Sequence, residues 1–196
     1  GLAVGGLPDG TVDAGTLAAN SVDSAELIDG AVDDSHMAAM AASKLSGTVA
    51  AARMPTGSVV QVVSNTQTVN ATITSTSYTD TGLSASITPS STSNKVLVLF
   101  SSVGGGTRNG AENDNQFGLT RDNGSNFLTV KRVEDYDYGG SGHVARQPFN
   151  INYLDSPSST SSVTYKVYGK KNNSSAAIMG SSSSSITEFI LMEIAG

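Results

Sequence analysis

ITEFILMEIAG, residues 186–196, is the stretch that decides how this chain folds. Side chains alternate across a strand, so Phe189 and Leu191 point to one face and Ile190, Met192 and Ile194 to the other. Large apolar residues on both faces do not fit a strand with one side in water. A sandwich has an inside and an outside, so the outside of this strand must also be covered. A subunit interface is the expected cover, with a crossing under a long loop as the alternative. Phe189 and Leu191 are assigned to that interface.

Outward from this strand, β-patterns fill residues 57–196. Residues 58–64 (SVVQVVS) and 95–101 (KVLVLFS) are apolar on both parities and read as strands covered on both faces. Residues 71–78 (ATITSTSY) and 83–88 (LSASIT) alternate, as half-buried strands do. Further strands are expected at 116–121, 127–133, 145–154, 163–168, 176–179 and 186–194. Turn signals lie at 89–94, 122–124, 155–161 and 170–175. The clearest hairpin is 121–126 (RDNGSN), where Asn-Gly supplies positive φ angles. Many short strands without a helical pattern predict a mainly-β fold, a jelly-roll-like β-sandwich.

The preceding segment is of another kind. Residues 10–19 (GTVDAGTLAA), 20–29 (NSVDSAELID) and 30–39 (GAVDDSHMAA) align in tens. Val12, Val22 and Val32 coincide, as do Asp13, Asp23 and Asp33, and Leu17, Leu27 and Met37. With Asp23 as N-cap, Val22 and Leu27 form a hydrophobic staple and Glu26 completes a capping box. Gly10, Asn20 and Gly30 suit the sharp exit from one helical turn to the next unit. One unit buries about two side chains, too little to offset ordering ten backbones at roughly 1–2 kcal/mol each. Several identical chains wound together could share the valines and leucines; a disordered acidic linker is the alternative.

Beyond the repeats, Met37, Met40, Ala41, Lys44 and Leu45 fall at helical spacing, with Gly47 as the stop. The expected organisation is therefore decapeptide repeats over 1–33, a helical neck and connector over 34–56, and a β-sandwich over 57–196. Val12, Leu17, Val22, Leu27, Val32, Met37, Met40 and Leu45 would line the contact between chains. His36 reads as a solvated residue, with a pore-lining ion ligand as the alternative.

Composition narrows the function. Charged residues are only 14% of the 196, which excludes a coiled-coil rod, and 21 glycines are far too few for collagen. No apolar run approaches 18 residues, so no membrane insertion is expected. The chain starts at Gly1 without a signal-like segment and reads as a piece of a longer chain or a processed product. Cysteine is absent, which removes disulfides, thiolate metal sites and cysteine nucleophiles. A net charge of −6 opposes nucleic-acid binding. Residues 1–56 carry 7 acidic and 2 basic side chains, and 57–196 carry 10 and 9.

No catalytic signature is present, and no cofactor or metal is expected. Gly104–Gly105–Gly106 lacks the Lys-Ser/Thr of a phosphate loop and reads as a mobile loop. VEDYDYGG (133–140) lacks the glycine and distal glutamate of an EF-hand and reads as a solvated acidic turn. Paired carboxylates could cut glycosidic bonds, but nothing here has the long groove such enzymes use. A binding surface fits better. Segments 104–115 and 132–143 concentrate glycine with Asn, Arg, Asp and Tyr, the types that stack on sugars and bond their hydroxyls. Arg108, Asn109, Asp114, Tyr136, Asp137, Tyr138 and His143 form the expected receptor patch.

The decapeptides, the connector LSGTVAAARMPTGSVVQVV (45–63), TSTSYTDTGLSASITPSSTSNKVLVL (74–99), YLDSPSSTSSVTYKVYGK (153–170) and SSSSSITEFILMEIAG (181–196) resemble the C-terminal parts of tailed-bacteriophage fibre proteins. The resemblance is one of style and motif order over nearly the whole chain. It implies a parallel homotrimer in the virion, a thin stalk and a compact knob that contacts a host-surface glycan or protein. Other virion proteins would hold the N-terminal segment. Only three clear repeats are present, fewer than in longer fibres, so a capsid-decorating fibre or cement protein is the alternative. A polysaccharide-cleaving tail enzyme is a third.

Overall fold

The computed structural model describes residues 47, 49–68, 70–108, 112–136, 144–180 and 186–196. The chain divides into two compact units, Gly1–Thr48 and Val49–Gly196. The expectations for the repeats and the helix, with Val12, Leu17, Val22, Leu27, Val32, Met37, Met40 and Leu45, lie outside the described residues. Of the connector, residues 49–56 belong to the second unit and hold one 3-10 turn, Ala51–Arg53.

The second unit is mainly β. Its strands are β1 (Val59–Thr68), β2 (Ala71–Ile73), β3 (Thr79–Ile87), β4 (Lys95–Arg108), β5 (Glu112–Thr120), β6 (Thr129–Tyr136), β7 (Val144–Asp155), β8 (Val163–Lys171), β9 (Ser174–Met179) and β10 (Ile186–Ile194). They pair as nested antiparallel ladders: β1 with β10, β2 with β9, β3 with β8, β4 with β7 and β5 with β6. The second unit is thus one long hairpin bent at the β5–β6 turn and then rolled up. Rolling adds the pairs β10–β4, β4–β9 and β5–β8. The result is two sheets, β1-β10-β4-β9-β2 with β7 on the other edge of β4, and β3-β8-β5-β6. This nested pairing is the double Greek key of a jelly roll.

The bend sits where the Asn-Gly signal predicts it. Asn123 and Gly124 have φ of 57° and 87°. Asp122 holds the turn: it accepts Thr120 Oγ1 at 2.6 Å, the Asn126 backbone N–H at 2.9 Å and Asn126 Nδ2 at 2.8 Å. Short Asp and Asn side chains bonding a nearby backbone are what make such residues turn formers.

Between the sheets lies the core. Phe100 packs on Phe149 and Phe189 with ring centroids 5.6 and 4.9 Å apart, and Phe117 stacks on Phe149 at 5.0 Å. Leu83, Ile87, Leu119, Ile151, Tyr165, Val167, Met179 and Leu191 fill the remainder. This corrects one expectation. Phe189 and Leu191, assigned above to a subunit contact, are buried within their own subunit, Leu191 at 0% exposure. Parity separated the two faces of β10 correctly, but both were apolar, and sheet packing alone chose which faces inward.

A second correction concerns Gly104–Gly105–Gly106. They are not a loop but lie within β4, opposite Gln147, Arg146 and Ala145 of β7. A Cβ on Gly105 would come within 2.0 Å of the Ala145 carbonyl oxygen, and one on Gly104 within 2.7 Å of Phe149 Cε1. Here glycine allows close approach inside a strand. The strand expected over 71–78 stops at Ile73, while β1, β4 and β5 run longer than their apolar cores suggest.

Candidate functional site

The outer face of the larger sheet is aliphatic. Register places Val62, Met192, Leu97 and Leu154 in one row across β1, β10, β4 and β7. Ile190 beside Leu99 and Ile194 beside Val59 extend it on either side. Val62 is 55% exposed and Leu154 51%, and Val59 is exposed as well. Leu97, Leu99, Ile190, Met192 and Ile194 are half-buried. The row beyond Ile190 and Leu99 turns polar at Glu188, Ser101 and Asn150, so the stripe has a defined margin. A continuous exposed apolar stripe rimmed by polar residues marks an interaction surface.

The outer face of the smaller sheet has different chemistry. The Tyr78 and Phe127 rings lie 4.2 Å apart, centroid to centroid, and Tyr168 meets the edge of Phe127 at 6.2 Å. Gly118 makes this possible, because a Cβ there would come within 2.4 Å of Phe127 Cδ1. Gly124 likewise leaves room for Tyr168, whose Cε1 would be 2.9 Å from a Cβ. Burial pushes the Tyr78 phenol above its ordinary pKa. Tyr78 Oη donates to Gln116 Oε1 at 2.9 Å, and Lys170 Nζ stands 5.0 Å over the Tyr78 ring.

Charges near the rings are mostly paired. Lys166 meets Asp80 at 3.1 Å. Arg132 donates from Nε and Nη2 to the two oxygens of Asp114, each at 2.8 Å, and also pairs with Glu134. Asn172 Nδ2 adds a third bond to Asp114 at 3.1 Å. The Arg132 hydrogen bond, outweighing the upward push of burial, holds the Asp114 carboxyl below the usual range, with Asn172 helping.

The expected receptor patch is placed in part. Asp114 is 3% exposed and its carboxylate is committed to Arg132 and Asn172, so it is a structural group within the sheet, not a free ligand for sugar hydroxyls. Arg108 ends β4 and Tyr136 ends β6. Asn109, Asp137, Tyr138 and His143 lie outside the described residues. The backbone does bring the two segments together: Glu112 pairs with Tyr136, and Thr107 with Val144. A cleft of about 270 Å³ opens there between the edges of β6 and β7. Gly105, Val133, Glu134, Val144, Arg146 and Gln147 help to line it. Gln147 Nε2 donates across it to the Glu134 carbonyl at 2.7 Å.

Sequence reasoning missed Tyr78, Gln116, Phe127, Tyr168 and Lys170. They come from β5, β8 and the segments before β3 and β6, so no local motif links them. Their one sequence trace is a glycine, Gly118, inside a predicted strand, a sign of close approach from above. Among the described residues, no group of three acidic or histidine side chains could hold a metal ion, and no helix is long and apolar enough to cross a membrane.

No protein-family model and no curated protein sequence matches the chain. Among solved structures it is similar to the VP2 subviral particle of infectious bursal disease virus, with a TM-score of 0.36 and 15% identity. The structure of the Gx strain of that virus gives 0.34 and 14%. Both likenesses cover 71% of this chain, and the chain spans 34% of the length of those it matches. Likeness at this level identifies no family.

Proposed function

We propose that this chain is a homotrimeric bacteriophage fibre protein of the virion. Its repeats (1–33) form the stalk, residues 34–56 the neck and connector, and the jelly roll (57–196) a knob that adsorbs to the host cell surface. The N-terminal segment would join other virion proteins. One observation carries this reading: the aliphatic stripe on the outer face of β1, β10, β4 and β7. Covering it with further copies of the same chain removes apolar surface from water at roughly 25 cal/mol per Å². The occupant is argued to be a second and third copy because the repeats need the same thing. By the sequence pattern one repeat alone has too few apolar side chains to hold its shape, and the chain continues from the repeats to Val59, where the stripe begins. Three knobs on one stalk would multiply weak contacts with a host surface by avidity, by about 10²–10⁴.

Light scattering on the full chain tests the assembly. Three times 19.9 kDa is expected, and a monomer would overturn the reading. Val62→Asp and Met192→Asp should leave strand content unchanged and dissociate the knobs. Host-cell adsorption by the labelled trimer tests the function. A stable trimer that adsorbs to no host cell would replace receptor binding with the capsid-decorating alternative.

A further inference from the structure

We infer that the aromatic surface of the smaller sheet, Tyr78, Phe127 and Tyr168 over Gly118, binds a saccharide. This rests on the adsorption reading above and gives it a place and a ligand class. Of the receptor patch expected from the sequence, the described residues Arg108, Asp114 and Tyr136 lie on β4, β5 and β6 and are not part of this surface.

The chemistry fits a sugar from two sides. A pyranose has faces lined with C–H bonds and a rim of hydroxyls. The faces suit aromatic rings, whose negative faces attract positive edges, and the rim suits hydrogen-bonding groups set around those rings. Phe127 supplies a ring with no polar atom, flanked by two tyrosines, all three half-buried on the outer side of the sheet. Around it stand polar atoms without protein partners among the described residues. Gln116 uses Oε1 for Tyr78, leaving its Nε2 hydrogens unspent. Lys170 rests over the Tyr78 ring, within electrostatic reach of Asp114 but in no ion pair among the described residues, and the Tyr168 hydroxyl makes no hydrogen bond among them. Other groups on the sheet, in contrast, are already satisfied: Lys166 by Asp80, and Arg132 by Asp114 and Glu134.

The electrostatics select the class. With its neighbours paired, Lys170 contributes one positive charge, which suits a neutral or singly acidic sugar. Nucleic acid would need a track of unpaired cations. A further copy of this chain would be better met by the aliphatic stripe on the opposite sheet.

The experiment uses the full chain and an immobilised panel of hexose, N-acetylhexosamine and hexuronic-acid oligosaccharides. Wild type is expected to bind at least one class. Gln116→Ala, Lys170→Ala and Tyr168→Phe should each weaken that binding about tenfold while melting temperature and assembled mass stay unchanged. Phe127→Ser should abolish it. Because Phe127→Ser can also disturb the fold, the three polar variants decide the question. No binding to any class, or binding indifferent to all three, overturns the inference. Loss of trimer mass in Phe127→Ser with the fold intact would make the surface a subunit contact and overturn it too. A monomeric wild type whose sugar binding falls in these variants would sink the trimer alone. A trimer that adsorbs to cells through residues other than these would sink this site alone.

Discussion

Asn94 Nδ2 donates to Glu193 Oε1 at 2.6 Å, tying the last strand to the turn before β4. Glu193 is 0% exposed and makes no ion pair among the described residues. Four donors replace its water: Asn94, the Ser90 backbone N–H at 2.7 Å, Ser90 Oγ at 2.8 Å, and Gln61 Nε2 at 2.5 Å on the other oxygen. β10 therefore carries two kinds of inward residue, apolar at Phe189 and Leu191 and anionic at Glu193.

Glu193→Gln should cost about 1–3 kcal/mol of stability, because an amide set among four donors leaves one of them facing another donor. Glu193→Leu should cost more, since all four donors lose this acceptor and only Gln61 and Asn94 keep another, the Thr88 carbonyl and Ser90 Oγ. Urea melts of the three proteins check the order, and equal midpoints would show that this carboxylate is not holding the turn.

Acid should destabilise the sandwich, with the sign set by two carboxyls. Burial pushes the Glu193 pKa up, but the hydrogen bonds from Asn94, Gln61 and Ser90 together outweigh it and leave it lowered. Asp122, held chiefly by the Asn126 backbone N–H and the Thr120 hydroxyl, is lowered from 3.8 to about 2. A carboxyl depressed on folding stabilises at pH above its unfolded value and loses that contribution as pH falls through the folded one. Stability is therefore expected to fall between about pH 4 and 2. Asp122→Asn should flatten that part of the profile, as measured by thermal melts across pH.

Gly105→Ala should destabilise by about 3 kcal/mol or more, since the backbone oxygen it would strike belongs to a paired strand and cannot swing aside. Gly57→Ala is the control. Gly57 has φ of 88° and open space around it, so only the backbone cost of about 1–2 kcal/mol applies. Similar losses in the two variants would mean that β4 and β7 are less tightly apposed.

Leu191→Asp and Ile190→Asp, adjacent in sequence, should fail in different ways. The first puts a charge into the core, which costs several kcal/mol, and should not yield folded protein. The second places it on the half-buried outer face and should yield folded knobs that no longer assemble. Circular dichroism and light scattering separate the outcomes, and an assembled Ile190→Asp trimer would move the contact off the stripe.

Much of the fold was legible locally. The Asn123–Gly124 turn needs φ angles that few residue pairs adopt, and it falls at the centre of the nested hairpin. The apolar run of 186–194, large residues on both parities, located β10 to the residue. What local pattern reads poorly is a glycine that serves a neighbour. Gly104–Gly105–Gly106 look like a loop in one dimension and are a strand because β7 lies against them.

The candidate sites were less legible, because a surface is assembled from distant pieces. The two segments chosen by composition do meet, through the β5–β6 ladder, but the same ladder buries Asp114 beneath Arg132. The residues of the aromatic surface share no stretch of chain, and only the β5–β8 pairing brings Gln116 and Lys170 side by side.

Alternation, turn chemistry and the ten-residue repeat are properties of neighbouring residues, so the chain alone determined its β-class, the approximate places of most strands and the presence of two unlike segments. Which side of β10 became core was decided by the packing of one sheet on the other. Both sides are greasy, and only the meeting with Phe100, Phe149 and Phe117 distinguishes them. That choice turned Phe189 and Leu191 inward and left Ile190, Met192 and Ile194 facing out.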